Sequence, residues 1–499
     1  MTQAGAGAGS SVLTDWISLG ALASSVPRDV VDDAVGAAGK GARRAGGKLP
    51  PHVMVYFVMA LALFADDDYE EVAARLAQTL RGWGCWEQGW EVPTRGGITQ
   101  ARQRLGPEPL AGVFSQVAVP VADLDTAGAF LGPWRLMSVD GMEWDVPDTA
   151  VNRAFFGSKA GPAGPAPFPK VRVVTVSECG SHAAVAAAAG PAAGGKGSGE
   201  QALARKLYPG LEEDWLLLAD RNFYSWKDWR AAAGTGAALL WRVRSNVPLP
   251  VLEPLGDGSW RPVLFSPRID SRSRVRGRRA QLPAAAGRGE DLPEDQARYV
   301  RAIEYQVPDR DGNGKDERVI LVTTITGPRQ APAAELAQAY HQRWEHEGGN
   351  AQLKTYLRGP GRVLRSQSPA MVEQEIWGYL LTRYAISALT CAAATAAGID
   401  PDRVKFKRTV RVTRRAVGPA SPPDQAAALL ARVMAGITRT RNLNPPRRHR
   451  SYPRVVKRAR HNLYRIKKPG DTGTRHHGPP TIRLSSPCKS PGRSMINLS

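Results

Sequence analysis

Apolar positions along the chain follow two rhythms. Val53 to Ala65 is apolar on every side, which predicts a helix buried all round. Asp66 to Asp68 then offer N-cap chemistry for a second helix, in which Tyr69, Val72, Leu76 and Leu80 recur near helical intervals. Gly82-Trp83-Gly84 breaks that pattern, and Ile98 to Leu105 predicts a short basic helix bearing Arg102 and Arg104. Helix, break and basic helix is what a helix-turn-helix reader of DNA shows, and also what an all-helical packing domain shows. Spacing alone leaves both readings open.

From Trp134 the rhythm shortens. Arg135 to Val139 predicts a strand, with Asp140-Gly141 at its end. Asp145 and Asp148 are rival acids in a Pro-containing loop, and residues 157–167 read as a flexible Gly/Pro/Ala loop. Val171 to Val176 predicts a strand with His182 to Ala189 as partner. Trp215 to Ala219 is a compact apolar run, as in a strand buried on both faces, and Asp220 ends it. Leu240 to Arg244 alternates, Ser259 to Phe265 suggests another strand, and Tyr299 to Val307 with Arg318 to Ile325 suggest a hairpin. Its turn, Asp309 to Asp316, opens like a calcium loop, but Ile320 stands where the closing Glu is needed and strands flank it. Arg272, Arg274, Arg276, Arg278 and Arg279 form a basic loop suited to phosphate backbone. Met371 to Ala397 predicts a long apolar helix, or a pair, covering the core.

The stretch Tyr340 to Lys354 carries the most chemistry. Read as one helix, it puts Tyr340, Arg343, Glu347 and Lys354 within a ~60° arc, with Glu345 roughly opposite. A carboxylate there can hold a hard cation, and the flanking Arg and Lys can grip phosphates. The same residues also fit a solvated face with Arg343 and Glu347 as an ordinary (i, i+4) pair.

Tyr-x2-Arg-x3-Glu-x6-Lys resembles the signature of bacterial insertion-sequence transposases of the insertion-element-four family, and the Asp220-Arg221-Asn222-Phe223-Tyr224 run resembles the family's second aspartate motif. The resemblance covers roughly residues 20–465. It implies an α/β fold: a ribonuclease-H-like core, a β-rich insertion between the second Asp and the Glu, and an all-α N-terminal domain. The expected layout is a disordered terminus over 1–26, a helical DNA-binding domain over 27–125, and the core's first part over 130–235. The insertion then takes 236–328, the core's second part 329–400, and a basic region with a disordered tail 401–499. It further implies a DDE enzyme that excises its element and joins it to a new site. Asp140, Asp220 and Glu347 are then the catalytic acids. They would hold two Mg2+ ions about 3.5–4 Å apart, with Mn2+ able to substitute. Tyr340, Arg343 and Lys354 would bind backbone phosphates, and Arg102 and Arg104 the terminal repeats. The implied partners are double-stranded DNA, as terminal inverted repeats and target, and a second copy in a synaptic homodimer. Gly348-Gly349 depart from the family, where bulkier residues are usual, and each glycine costs a helix interior ~1 kcal/mol. Two other readings stay open: a ribonuclease-H-like nuclease without strand transfer, and a catalytically inactive DNA-binding repressor.

Composition fits a polyanionic partner. Lys and Arg number 67 against 46 Asp and Glu, a formal charge of +21, which favours nucleic acid. The four cysteines, Cys85, Cys179, Cys391 and Cys488, are too scattered for a disulfide framework or a zinc site. No signal peptide is evident, and Val53 to Ala65 falls short of the ~20 residues a bilayer needs, so a cytoplasmic, nucleoid-associated protein without membrane contact is expected. Beyond Arg441 the only acid is Asp471, which suggests a DNA-associated tail, with no assignment for Pro479 to Ser499.

Overall fold

The computed structural model describes residues 22, 25–42, 49–81, 92–158, 160–161, 164–193, 199–267, 285–286, 288–307, 317–417, 426–446, 450–451, 476–477 and 483–484. Several expectations lie outside these residues: the Gly82-Trp83-Gly84 break, the Arg272 to Arg279 loop, the Asp309 to Asp316 turn, Cys85, Cys488, and nearly all of the two termini.

The helices named below are α1 (Arg28–Ala37), α2 (Pro51–Leu63), α3 (Tyr69–Arg81), α4 (Arg95–Leu105), α5 (Glu108–Val117), α6 (Ala150–Phe156) and α7 (Trp226–Ala233). They continue with α8 (Ala333–His341), α9 (Arg343–Gln352), α10 (Pro369–Ala396), α11 (Phe406–Ala416) and α12 (Ala426–Thr438). The strands are β1 (Trp134–Asp145), β2 (Lys170–Glu178), β3 (Ala184–Pro191), β4 (Trp215–Ala219), β5 (Ala238–Val243), β6 (Glu253–Pro254), β7 (Trp260–Arg261), β8 (Arg301–Val307) and β9 (Glu317–Thr323). The result is a mixed α/β fold with a large mixed sheet and many helices. Among the described residues no helix is long and apolar enough to cross a membrane.

The chain divides into two compact units, one of residues 1–127, 141–199 and 345–445, the other of 128–140, 200–344 and 446–499. The first is mainly helical. Its centre is α10, a single helix rather than a pair, buried along most of its length. Against it pack α2, α5, α11 and α12. Helix α2 is apolar all round because it is enclosed all round: Met54 to Leu63 are all buried. The two helices meet backbone to backbone. A Cβ on Gly378 would lie 2.6 Å from Val58 Cγ1 and 2.9 Å from Val58 O, so only glycine permits this crossing. One turn on, the Thr382 hydroxyl donates to Met59 O at 3.0 Å. Asp68 caps α3 by accepting from the Glu71 amide at 2.8 Å, and Thr94 caps α4.

Strand β1 runs further than its sequence suggests. It continues through Asp140-Gly141 to Asp145, because the second half finds a new neighbour in β2. Arg172 pairs with Glu143 at 2.6 Å and Lys170 with Asp145 at 2.5 Å across that edge. Asp140 is therefore a mid-strand residue, not a strand terminus. Asp145, like Asp148 with Arg153 at 2.5 Å, is already matched to a cation. In both, the ion pair competes with a metal for the carboxylate oxygens.

In the second unit the strand order is β1, β4, β5, β9, β8, β7, β6. The first half of β1 pairs with β4 in parallel, and β4 with β5 in parallel, while β9 and β8 add antiparallel. A parallel neighbour needs a crossover, and α7 supplies it between β4 and β5. Every residue of β4 is buried, as a strand packed on both faces requires. The β8–β9 hairpin pairs from Arg301↔Thr323 to Val307↔Glu317, so β8 starts two residues later than the sequence suggests and β9 ends two earlier. Pro262, which has no N–H, separates β7 from the next short strand and splits the Ser259 to Phe265 run.

Candidate active site

Register fixes what can meet at the sheet. Strand β1 pairs with β4 up to Val139↔Ala219, and β4 with β5 up to Ala219↔Trp241. The next residues are Asp140, Asp220 and Arg242, side by side at the same level of three parallel chains. In-register neighbours share a face of the pleat. Register thus sets the backbone of Asp140, Asp220 and Arg242 at one level, with Leu216 to Ala219 and Trp241 buried; the Arg242 guanidinium donates to Arg318 O at 3.4 Å. Arg242 was missed in the sequence reading. Its signal was present: it is the polar member of the β5 alternation, one step beyond the residue paired with Ala219.

Helix α8 packs over this corner. Tyr340 is only 3% exposed, and its hydroxyl makes a long 3.5 Å hydrogen bond to Ala219 O, immediately before Asp220. Burial pushes the phenol up to about 12; Arg343 and Arg242 pull it the other way, and Asp220 adds to the rise. Arg343 lies 5.8 Å from the ring centroid of Tyr340 and is itself 5% exposed. This corrects the sequence reading on two points. The Tyr340–Arg343 face is turned into the protein, not toward solvent, so Tyr340 supports the strand end rather than presenting its hydroxyl to DNA. The stretch is also not one regular helix. It breaks at Gln342 between α8 and α9, and opens into a π-turn at Leu353–Leu357 that carries Lys354. Widened turns of this kind recur at functional sites.

A neutral Tyr340 favours the folded state up to the unfolded phenol value near 10, and this contribution is lost only as pH rises through about 12. Tyr340→Phe should keep the ring packing and change DNA affinity less than ~fivefold, since the hydroxyl is engaged within the protein, by Ala219 O and Arg343, and a hydrogen bond is worth ~1 kcal/mol. Fluorescence anisotropy on a labelled duplex measures it. A tenfold loss would return the hydroxyl to the DNA surface.

The structure brings Asp140, Asp220, Tyr340, Arg343 and Arg242 together in the strand-rich unit. Glu347 and Lys354 belong to the helical unit, Glu347 on the backbone of α9 and its side chain outside the described residues. Within that unit α9 is anchored at its far end, where Arg383 Nη2 donates to Gln352 Oε1 at 2.9 Å. Arg383 also donates to Ser387 and stacks on Phe406, and burial lowers its guanidinium to about 9. Gly349 faces this group, a Cβ there lying 3.4 Å from Arg383 Nη2.

Arg102 requires a correction. It is 1% exposed, and its guanidinium donates to Gln374 Oε1 at 2.9 Å, to the Tyr69 hydroxyl and to Ser366 Oγ at 3.3 Å. The Gln374 amide returns bonds to Arg102 O and Gly106 O. Arg102 is a buried brace tying α3 and α4 to α10, not a DNA contact. Arg104, two residues on, is exposed.

For a hard cation the donor chemistry fits: Asp140 and Asp220 are carboxylates that follow register partners on adjacent strands. Among the described residues no group of three His, Cys, Asp or Glu side chains stands ready to enclose a metal. The acid pair therefore makes an incomplete set by itself.

The N-terminal helices, residues 16–115, match the model of the insertion element 4 transposase N-terminal domain. The chain is 28% identical over 423 residues to transposase InsG for insertion sequence element IS4 of Escherichia coli strain K12, covering 82% of this chain and 86% of that protein. It is 26% identical over 182 residues to the putative transposase InsZ of the same organism, covering 36% of this chain and 56% of InsZ. Among solved structures it is similar to a piggyBac transposase synaptic complex with hairpin DNA, at 10% identity and a TM-score of 0.38, covering 86% and 82% of the two chains. With a family model over its first helices and a relative matched along most of both chains, the protein is similar to transposases of the insertion element 4 family.

Proposed function

We propose that this chain cuts and joins DNA, excising its own insertion sequence and transferring it to a target, on a ribonuclease-H-like core with a β-rich insertion. The observation that carries the proposal is the side-by-side placement of Asp140 and Asp220, which follow register partners on neighbouring parallel strands. Glu347 completes the acid set, and the three would hold two Mg2+ ions, or Mn2+ in their place. When bound, the ions supply an activated oxygen nucleophile and charge at the leaving oxygen.

The chain's own residues do the rest. Arg242, level with Asp220 in register and held by Arg318 O at 3.4 Å, would add positive charge for a phosphate drawn to the acid pair. Arg343, stacked on Tyr340, holds positive charge at the same corner. Lys354 is the point charge that would grip the flanking backbone, and its π-turn shifts it from the position a regular helix would give. Arg104 is the member of the α4 pair left for terminal-repeat DNA. Such enzymes work on two ends at once, so a homodimer is the expected assembly.

A strand-transfer assay tests this. Paired duplexes carrying the element's inverted ends, with a supercoiled target and Mg2+, should yield both cleaved ends and joined product. Cleavage without joining would make the protein a nuclease, and end binding without either would make it a repressor.

A further inference from the structure

We infer that α11 and α12 carry a second, sequence-independent site for the phosphate backbone of duplex DNA. From Arg403 to Pro446 the sequence has ten Lys and Arg against one acid, Asp424. This excess is displayed, not buried. Phe406, Thr409, Val410 and Thr413 pack inward, which leaves Lys407, Arg408, Arg411 and Arg415 exposed on the opposite side of α11. Among the described residues none of these four takes part in an ion pair. Arg432, Arg439 and Arg441 are exposed as well. With Arg415 they line a groove of about 350 Å³ beside α12.

The platform under these charges is firm. Gly436 brings the two helices close, a Cβ there lying 3.3 Å from Val412 Cγ1. Arg414 reaches back to Leu63 O at 2.6 Å, so α11 is tied to α2. A surface held this way meets a rigid partner without first paying to become ordered.

The spacing suits DNA. Lys407, Arg411 and Arg415 recur every four residues, so they span about 12 Å of helix. One DNA strand presents a phosphate every ~3.4 Å along its axis, so that length faces three to four phosphates. The groove holds no spare amide to read an adenine edge, and its charges sit on exposed, flexible arginines suited to phosphates. Its one amide side chain, Asn442, is buried and spent on Gly436 O at 2.7 Å. The contact is therefore of the positioning kind, indifferent to sequence. This inference rests on the reading that DNA is the partner, and concerns residues remote in sequence from the acids.

The test is the salt dependence of binding by the full chain, without divalent metal, on two duplexes of equal length: one carrying an element end, one unrelated. For Arg408→Gln/Arg411→Gln/Arg415→Gln/Arg439→Gln, the slope of log K against log salt should become shallower by about 3.6, at ~0.9 per phosphate contact, on both duplexes. The same four positions changed to Lys should keep the parent slope. If the fourfold variant does not fold, Arg408→Gln/Arg411→Gln should show a reduction of about 1.8. An unchanged slope, or a loss confined to the element-end duplex, overturns the inference. Cleavage in Mg2+ by the unaltered chain is scored separately. A chain that never cuts but shows the predicted slope change loses the proposed function while the surface stands.

Discussion

Asp220→Asn should leave a folded protein that binds element ends within ~threefold of the parent and does not cut them. Asn has nearly the shape of Asp but neither the charge nor the second anionic oxygen that a hard cation needs. Asp220 is half-buried just after β4, and its backbone oxygen accepts from the Phe223 amide whichever side chain is present. Stability should therefore change little. A metal-held charge in phosphoryl transfer is worth several kcal/mol, and each 1.36 kcal/mol is tenfold in rate. Cleavage in Mg2+ should fall by at least ~10³-fold, as should that of Asp140→Asn, its neighbour across the register. Gel-resolved cleavage of a labelled end, with anisotropy for binding, separates the two effects. A variant that still cuts within tenfold of the parent would remove Asp220 from the site.

The second large effect is on folding. Arg301 opens β8 and is 0% exposed. Its guanidinium donates to Ser259 Oγ at 2.8 Å, to Ala331 O at 2.7 Å and to the Asp257 carboxylate. Asp257 in turn accepts from the Ala333 amide at 2.8 Å and so caps α8, the helix that ends at the active-site corner. Asp257→Ala strands a buried cation and uncaps a helix in one step. The first costs ~3–5 kcal/mol and the second ~1 kcal/mol. Burial alone would raise the Asp257 carboxyl, but hydrogen bonds from Ser259 and the Ala333 amide, with the Arg301 charge, hold it below its ordinary value. A depressed carboxyl stabilises fully above its unfolded value near 4, and this is lost as pH falls through the lower folded value. The gap between parent and variant in urea unfolding should thus be widest near pH 7 and narrow toward pH 3. A gap under ~1 kcal/mol at pH 7 would mean that the network does not carry the load assigned to it.

Several of these features could be read from the chain and several could not, for identifiable reasons. Strand β4 was legible to the residue, because a strand enclosed on both faces needs an uninterrupted apolar run and a polar stop. The β8–β9 hairpin was legible because two strand-like runs flank an Asp- and Gly-rich turn. The end of β1 was not. Asp140-Gly141 looks like a stop, and only the arrival of β2, thirty residues on, keeps the strand going. Buried arginines were the main blind spot. Arg102 and Arg301 look like surface cations in a sequence, because their partners are distant: Gln374 lies 272 residues from Arg102. The inward turn of Tyr340 escaped for the same reason. A polar stripe announces that a face is special, not which way it points.

The crossing of α2 and α10 has a consequence for how the protein is made. The Thr382–Met59 contact joins residues 323 positions apart. At about 5–20 residues per second, a ribosome releases α2 roughly 15–65 s before α10 exists to cover it. During that interval an all-apolar helix hangs from the nascent chain with its final partner unmade. Synthesis thus includes a window in which a holding chaperone, or slow translation of the intervening strands, decides between folding and aggregation.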